Sequence, residues 1–269
     1  MPPAAGLLAN QRCLLVGGTG GLGAAAARRF LAEGADVMVA GLDDVDSAMA
    51  HAELCQLGRC AFFPCDATDA AQVERLFASM TKLFGGLDVL YHLAGASGRP
   101  HGDGALHECS DAGWHATLEV NLTSTFLTNR AAVRHFLAAK QPGVILNLAS
   151  VLALSPSPRH FDTCAYAAAK GAIISLSRQA AARYAADGIR VNVLAPGLID
   201  TPMARRAVGD PAIKKYLRGK QPLRGGAGRP EDCADAAVFL CSPAASFITG
   251  AVLPVDGGWC VSEGPGGGK

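Results

Sequence analysis

Cys13-Leu-Leu-Val-Gly-Gly-Thr-Gly-Gly-Leu-Gly23 is the stretch on which the fold of this chain turns. Cys13–Val16 reads as a short buried strand, and Leu22–Ala32 beyond it has the period of a helix, so the glycines occupy a strand-to-helix turn. In that context a glycine-rich turn points to dinucleotide binding. Glycines let the chain turn tightly and approach a pyrophosphate, and the helix N-terminus supplies free N–H groups and partial positive charge. No lysine follows the glycines, which removes the nucleoside-triphosphate loop reading. Two registers overlap: Gly18, Gly20 and Gly23 fit GxGxxG, whereas Gly17, Gly21 and Gly23 fit GxxxGxG.

Working outward, short aliphatic runs alternate with longer Ala-rich stretches. Strands are expected at Cys13–Val16, Val37–Ala40, Ala61–Phe63, Val89–Leu93, Val144–Leu148, Val191–Leu194 and Ala251–Val255. Helices are expected at Leu22–Ala32, Asp44–Leu57, Ala70–Phe84, Trp114–Ala139, Ala165–Ala186 and Glu231–Leu240. Gly34, Gly58, Gly85–Gly86, Gly143 and Gly188 stand where helices must stop, as left-handed caps. The alternation predicts an α/β, doubly wound Rossmann fold: a seven-stranded, mostly parallel sheet with helices on both faces. No composition break divides the chain, so residues 1–263 read as a single dinucleotide-binding and catalytic domain. The glycine-rich 264–269 tail reads as disordered.

Of the 269 residues, 50% are hydrophobic and 17% charged, which excludes a disordered chain. The net charge of +1 gives no global field for nucleic acid or an anionic membrane surface, so neither is expected as a partner. No apolar run reaches the ~20 residues of a membrane helix, and Met1–Gln11 lacks the features of a secretory signal. Nine scattered cysteines without a CxxC pair read as reduced thiols, and the expected location is the cytoplasm.

Tyr166 and Lys170 are spaced i, i+4 on one helix face. A neighbouring ammonium favours a phenolate, so the pair is expected to bring the tyrosine toward the range of an acid/base catalyst. Ser150 lies just past a buried strand, at the carboxyl edge where α/β sheets bind ligands. Asn121 is a polar residue within the apolar run Leu118–Leu127, where its amide needs a task or a buried partner. Asp66 follows the third strand, and its generic alternative is a helix N-cap.

With these pieces together the chain resembles the short-chain dehydrogenase/reductase family in its compact single-domain form. The resemblance runs from Cys13 to about Trp259. It rests on Gly17-x-x-x-Gly21-x-Gly23, Asp66-Ala-Thr-Asp69, Val-Asn121-Leu, Ser150 after Asn147-Leu-Ala, and Tyr166-Ala-Ala-Ala-Lys170. Arg190-Val-Asn192, Pro196-Gly197 leading to Thr201, Gly228-Arg-Pro-Glu231, Ile248-Thr-Gly250 and Asp256-Gly-Gly258 follow in order. The resemblance implies Tyr166 as general acid/base, Ser150 as the hydroxyl that orients substrate, Lys170 on the tyrosine and the nicotinamide ribose, and Asn121 holding a water of the proton relay. It also places Gly17, Thr19, Gly20, Gly21, Leu22 and Gly23 at the pyrophosphate, and Asp66 and Ala67 at the adenine. Ala94 and Gly95 fall beside the ribose, and Pro196, Gly197, Ile199 and Thr201 around the nicotinamide. It further implies a homotetramer built through the helices that carry Asn121 and Tyr166.

Three departures stand out. Val16 replaces the usual threonine, and His92-Leu-Ala-Gly95 replaces N-N-A-G, with loss of local hydrogen bonds expected around the fourth strand. The interval from Ser150 to Tyr166 is about three residues longer than usual, and Arg159–Asp162 is the candidate extra wall of the substrate site.

The end of the second strand, Ala40-Gly41-Leu42-Asp43-Asp44, has glycine where an acid is usual and no arginine, and Asp43 stands near the distance at which it would meet a ribose and repel a 2′-phosphate. NAD is the expected cofactor, with NADP left open. From Thr201 to Arg229 eight cations face one acid, Asp210; this segment is either a solvated lid or one that receives an anionic substrate. His92, His101, His107, Cys109 and His115 have no recognised ligand spacing, so no metal is expected. Ser150, His160 and Asp162 lack the G-x-S-x-G elbow of a hydrolase. The expected activity is NAD(H)-dependent interconversion of a secondary alcohol and a ketone, acting on a small molecule. An NADPH-dependent 3-oxoacyl thioester reductase is the alternative within the class, and a nucleotide-sensing binding protein without turnover is the alternative outside it.

Overall fold

The computed structural model describes residues 6–42 and 45–264. Asp43 and Asp44 therefore lie outside the described residues, as does the tail beyond Gly264. Seven strands, β1 (Arg12–Val16), β2 (Asp36–Gly41), β3 (Cys60–Pro64), β4 (Val89–His92), β5 (Gly143–Leu148), β6 (Ile189–Pro196) and β7 (Val252–Val255), form one sheet in the order β3-β2-β1-β4-β5-β6-β7. Every neighbouring pair is parallel. The central strands are apolar without alternation because both faces are covered: all four residues of β4 and the last four of β1 are buried.

The covering helices are α1 (Gly21–Ala32), α2 (Val45–Leu54), α3 (Ala70–Phe84), α4 (Asp111–Leu118), α5 (Ser124–Ala139), α6 (Pro158–Phe161), α7 (Cys164–Tyr184), α8 (Arg205–Gly209), α9 (Pro211–Lys220) and α10 (Pro230–Cys241). On one face Phe30 of α1 and Ala237, Val238 and Cys241 of α10 pack against Leu15, Val37 and Tyr91. On the other, Leu76, Phe77 and Met80 of α3 join Leu127 and Phe136 of α5 over Leu14, Leu90 and Ile145. Strand order reverses between β1 and β4, so the loops after these strands diverge and leave a crevice at their carboxyl ends.

The structure corrects several expectations. The helix expected over 114–139 is two helices, α4 and α5, joined by a π-helical turn at Glu119–Thr123. α2 stops at Leu54, and α7 gives way to a 3-10 turn at Ala185–Asp187. Gly34, Gly85 and Gly188 are left-handed as expected, but Gly58 and Gly143 are not. The left-handed residue after α5 is Lys140 (φ 51°), while a Cβ on Gly143 would meet the Phe136 ring at 2.4 Å, so close packing selects that glycine.

Candidate active site at the carboxyl edge of the sheet

Gly17 has φ 84°, and a Cβ there would lie 2.6 Å from the Ala94 nitrogen; a Cβ on Gly23 would lie 1.9 Å from the Gly17 carbonyl oxygen. Gly21 is also left-handed and faces the Thr201 side chain. The register Gly17, Gly21, Gly23 thus carries the backbone constraint. Gly20 faces open space, and no side chain caps the N-terminus of α1 above it. Open room over a helix N-terminus fits a nucleotide diphosphate. Leu22 opens the same helix and packs its partly buried side chain on the core beneath. Thr19 explains the missing acid on β2: a Cβ on Gly41 would lie 2.9 Å from the Thr19 hydroxyl, which also accepts a hydrogen bond from Ser47 (3.1 Å).

Asp66 is not a helix cap. Its carboxylate accepts from the Thr68 N–H and hydroxyl (2.9 and 2.7 Å), its own N–H donates to Gln72 Oε1 (2.9 Å), and the cap of α3 is Asp69. Ala67 is buried beside it. Ala94 donates its N–H to the Val16 carbonyl (2.9 Å), which brings the β4 loop against the glycine turn.

Asn121 and Lys170 meet at Gly95, and Lys170 and Ser150 each adjoin Tyr166. Ser150 lies two residues beyond β5 as a hydrogen-bonding neighbour of the Tyr166 phenol, and its Oγ accepts from the Leu152 N–H (3.2 Å). Lys170 is one turn along α7; its Nζ donates to the Leu148 carbonyl (3.0 Å) and stands 5.5 Å from the centre of the Tyr166 ring. The π-turn presents Asn121 inward, with Nδ2 donating to the Thr117 and Ala96 carbonyls (2.9 Å each). Asn121 Oδ1 is buried with no donor, and a Cβ on Gly95 would lie 2.6 Å from it and 3.2 Å from Lys170 Nζ. Only a glycine leaves room at that meeting point.

The electrostatics differ from the expectation that Lys170 brings the tyrosine down. Burial pushes Tyr166 up to about 12, with Ser150's hydrogen bond pulling the other way. Burial also pushes Lys170, only 2% exposed, down to about 8. The phenol therefore holds its proton at neutral pH.

His92 does not leave the fourth strand short of hydrogen bonds. Its ring lies between the hydroxyls of Ser124 (Nε2, 3.2 Å) and Thr128 (Nδ1, 2.9 Å), one turn apart on α5. Burial, reinforced by Lys170's charge, pushes it down to about 3, so it is neutral. Ser124 and Thr125 in turn donate to the Asn121 carbonyl (3.4 and 2.7 Å), so the imidazole helps fix the π-turn.

Two residues escaped the sequence reading. The buried carboxylate of Asp103 accepts the N–H groups of Ala165 and Tyr166 (3.0 Å each), capping α7 where Thr163 makes no side-chain cap. Gln221, also buried, accepts from the Leu198 N–H (2.6 Å) and donates to the Leu198 and Gly226 carbonyls (3.1 and 2.9 Å). It braces the loop from Pro196 through Gly197 to Thr201. In that loop Ile199 is buried and bridges Gly228, and Thr201 accepts from the Ala204 N–H (3.3 Å). Neither residue lies in a sequence pattern that marks it, because each acts on backbone distant in the chain.

The cation-rich segment forms α8 and α9. Arg205, Arg206, Lys214, Lys215 and Arg218 are exposed, Arg224 pairs with Asp232 (Nη2 to Oδ1, 2.7 Å), and Lys220 is buried. Between Ser150 and Tyr166 lies α6, whose Phe161 and His160 pack on Trp259 (ring centres 5.5 Å) and Tyr216 (4.8 Å). α6 thus packs on α9 and on the turn that carries Trp259. Among the described residues no helix is long and apolar enough to cross a membrane.

A family model described as enoyl-(acyl carrier protein) reductase matches residues 17–260. The chain is 37% identical over 255 residues to cis-4-hydroxycyclohexanecarboxylate dehydrogenase of Sinomonas cyclohexanicum, covering 93% of this chain and 97% of that one. It is 38% identical over 256 residues to 2-(S)-hydroxypropyl-CoM dehydrogenase 3 of Xanthobacter autotrophicus, with the same coverage of both chains. A solved short-chain type dehydrogenase/reductase from Mycobacterium ulcerans superposes with a TM-score of 0.87 at 30% identity, over 96% of this chain and 93% of that one.

Proposed function

The chain belongs to the short-chain dehydrogenase/reductase family and is an oxidoreductase that interconverts alcohol and ketone at CH–OH groups; from that premise we propose NAD(H) as its cofactor and Tyr166 as its general acid/base. The observation that carries this reading is the chain of neighbours Asn121, Lys170, Tyr166 and Ser150, the first two meeting at Gly95. The cofactor supplies a nicotinamide that accepts or donates hydride against the substrate carbon.

The chain's own groups manage the oxygen and its proton. Ser150 and Tyr166, already hydrogen-bonded, both reach a substrate oxygen placed between them. In ketone reduction Tyr166, protonated at neutral pH, donates to that oxygen, and the Lys170 charge offsets the phenolate left behind. In alcohol oxidation the same proton returns. Asn121 Oδ1 and Lys170 Nζ, an acceptor and a donor side by side, are suited to hold the water that resupplies it.

For the nucleotide, residues 16–23 and 40–42 contain no cation to receive a 2′-phosphate, which favours NAD, with Asp43 proposed at the ribose. Gly17, Thr19, Gly20 and Gly21 would line the pyrophosphate, Asp66 and Ala67 the adenine, and Ala94, Gly95, Pro196, Gly197, Ile199 and Thr201 the ribose and nicotinamide. The substrate is a small secondary alcohol or its ketone. An anionic one agrees with the carboxylate in the name of the Sinomonas relative and with the cations of α8 and α9. An NADPH-dependent reductase of acyl thioesters is the second reading, favoured by the acyl-carrier description of the matching family model. Exposed Trp114 on α4 and Phe126 on α5 support assembly as a homotetramer through this side, and nine free thiols suit the cytoplasm.

Parallel titrations with NADH and NADPH, followed by nicotinamide fluorescence, test the cofactor: tighter NADPH binding would overturn NAD in favour of the thioester reductase. In an alcohol panel with NAD, Tyr166→Phe is expected to lose at least about 100-fold in turnover while binding NADH normally. Full turnover in that variant would remove Tyr166 as the proton donor, and nucleotide binding without any turnover in the wild type would favour a sensor.

A further inference from the structure

We propose that Asp103, Cys109 and Cys164 form a binding site for a thiophilic divalent cation of the zinc class, beside the catalytic helix and separate from the nucleotide crevice. One carboxylate oxygen and the two sulfurs lie within 4.8 Å of one another. The Cys109 sulfur is 3.9 Å from Asp103 Oδ1, and the Cys164 sulfur lies beside both. Sulfurs each ~2.3 Å from a tetrahedral ion stand roughly 3.8 Å apart, so this grouping needs only a small contraction to close on one.

The ligands are oriented before any ion arrives. Each Asp103 oxygen accepts one backbone N–H of α7 and keeps a second lone pair, as a ligand fixed by outer hydrogen bonds should. Cys164 is the first residue of α7, and its N–H is held by the Gly104 carbonyl (2.9 Å). Cys109 is two residues ahead of α4 in the loop that also carries Asp103, so that loop and the start of α7 meet here. Asp103 is buried whereas both cysteines are partly exposed, which leaves an entry path and a fourth position for solvent. Two thiol protons leave as the two metal–sulfur bonds form, and no oxidant is required.

His51 of α2, Cys55 just beyond it and Cys60 of β3 make a second grouping, and it serves as the internal control. The reduced, metal-stripped full chain is titrated with Co²⁺ under anaerobic conditions while thiolate-to-metal charge-transfer absorption is followed. One equivalent should give the absorption and be displaced by Zn²⁺. Cys109→Ser and Cys164→Ser should abolish it, Asp103→Asn should weaken binding at least about tenfold, and Cys55→Ser should leave it intact. No absorption, persistence in Cys164→Ser, or loss in Cys55→Ser would overturn the proposal. A measurement on the wild type alone removes any dependence on how the variants fold: Zn²⁺ should protect Cys109 and Cys164 from iodoacetamide in peptide mapping. Equal alkylation with and without Zn²⁺ would overturn it as well.

Discussion

Replacing Lys170 with methionine should stabilise the fold while removing turnover. Lys170 is 2% exposed, pairs with no carboxylate among the described residues, and is pushed from 10.5 down to about 8 by burial. The sign follows from proton counting. Between pH 8 and 10.5 the unfolded chain binds the proton and the folded chain does not, so stability rises with pH across that window. Below pH 8 both states are charged and the folded state carries the whole penalty, about 3 kcal/mol at 1.36 kcal/mol per pK unit. Methionine has a similar length and no charge, and its one loss is the hydrogen bond to the Leu148 carbonyl (3.0 Å), about 1 kcal/mol. Lys170→Met should therefore be more stable by about 2 kcal/mol at pH 7. The advantage should shrink through the window and reverse slightly above pH 10.5. Urea unfolding of both proteins at equal concentration, from pH 7 upward, measures this difference directly. Tyr166, at about 12 in the fold against 10 unfolded, steepens the pH dependence of both proteins above pH 10 alike and drops out of the difference. A variant no more stable than wild type at pH 7, or a difference that does not change with pH, would refute the reasoning.

Other expectations follow from the same geometry. Asp103→Ala leaves two N–H groups of α7 without their carboxylate and should cost about 2–4 kcal/mol in urea unfolding, with Asp103→Asn recovering roughly half. A cost under about 0.5 kcal/mol would mean that solvent replaces the cap. His92, held near 3 in the fold against 6.5 unfolded, should make wild-type stability fall by about 1.4 kcal/mol per unit as pH drops from 6.5 to 3. His92→Gln should be shallower by that one proton, and an unchanged slope would assign the acid sensitivity elsewhere. Gly23→Ala forces a Cβ to within 1.9 Å of the Gly17 carbonyl and should abolish NADH fluorescence enhancement while the far-ultraviolet dichroism of the sheet and helices persists. Retained binding would show that the turn can open.

Much of this molecule is legible in its residues because the relevant signals are local. Strand and helix periods, a glycine turn between them, and Tyr166 four residues before Lys170 are patterns within a dozen positions, and all were readable. What escaped depends on contacts between distant segments. Asp103 meets the N–H groups of residues 165 and 166, and Cys109 meets Cys164, neither at a spacing that any motif records. Gly41 looks like a missing acid until Thr19 is seen to fill its space. The Tyr166–Lys170 spacing gives the direction in which a cation acts on a phenol, but burial sets the outcome, and burial comes from the whole fold.

The π-turn at Glu119–Thr123 has a consequence for phase. Each α-helical residue advances roughly 100° around the axis, so one residue beyond the usual complement shifts everything after it by that angle. Trp114 and Phe126 are three full turns and a fraction apart by simple counting, yet the offset rotates α5 against α4 like a mis-set gear. Removing one residue from the turn would bring the two helices back into step. It would also swing Asn121 out of line with Gly95 and the His92 hydroxyl pair off the imidazole. The irregularity therefore works as a clutch: it lets one face of the long α4–α5 rod serve the crevice while another, differently timed, faces outward.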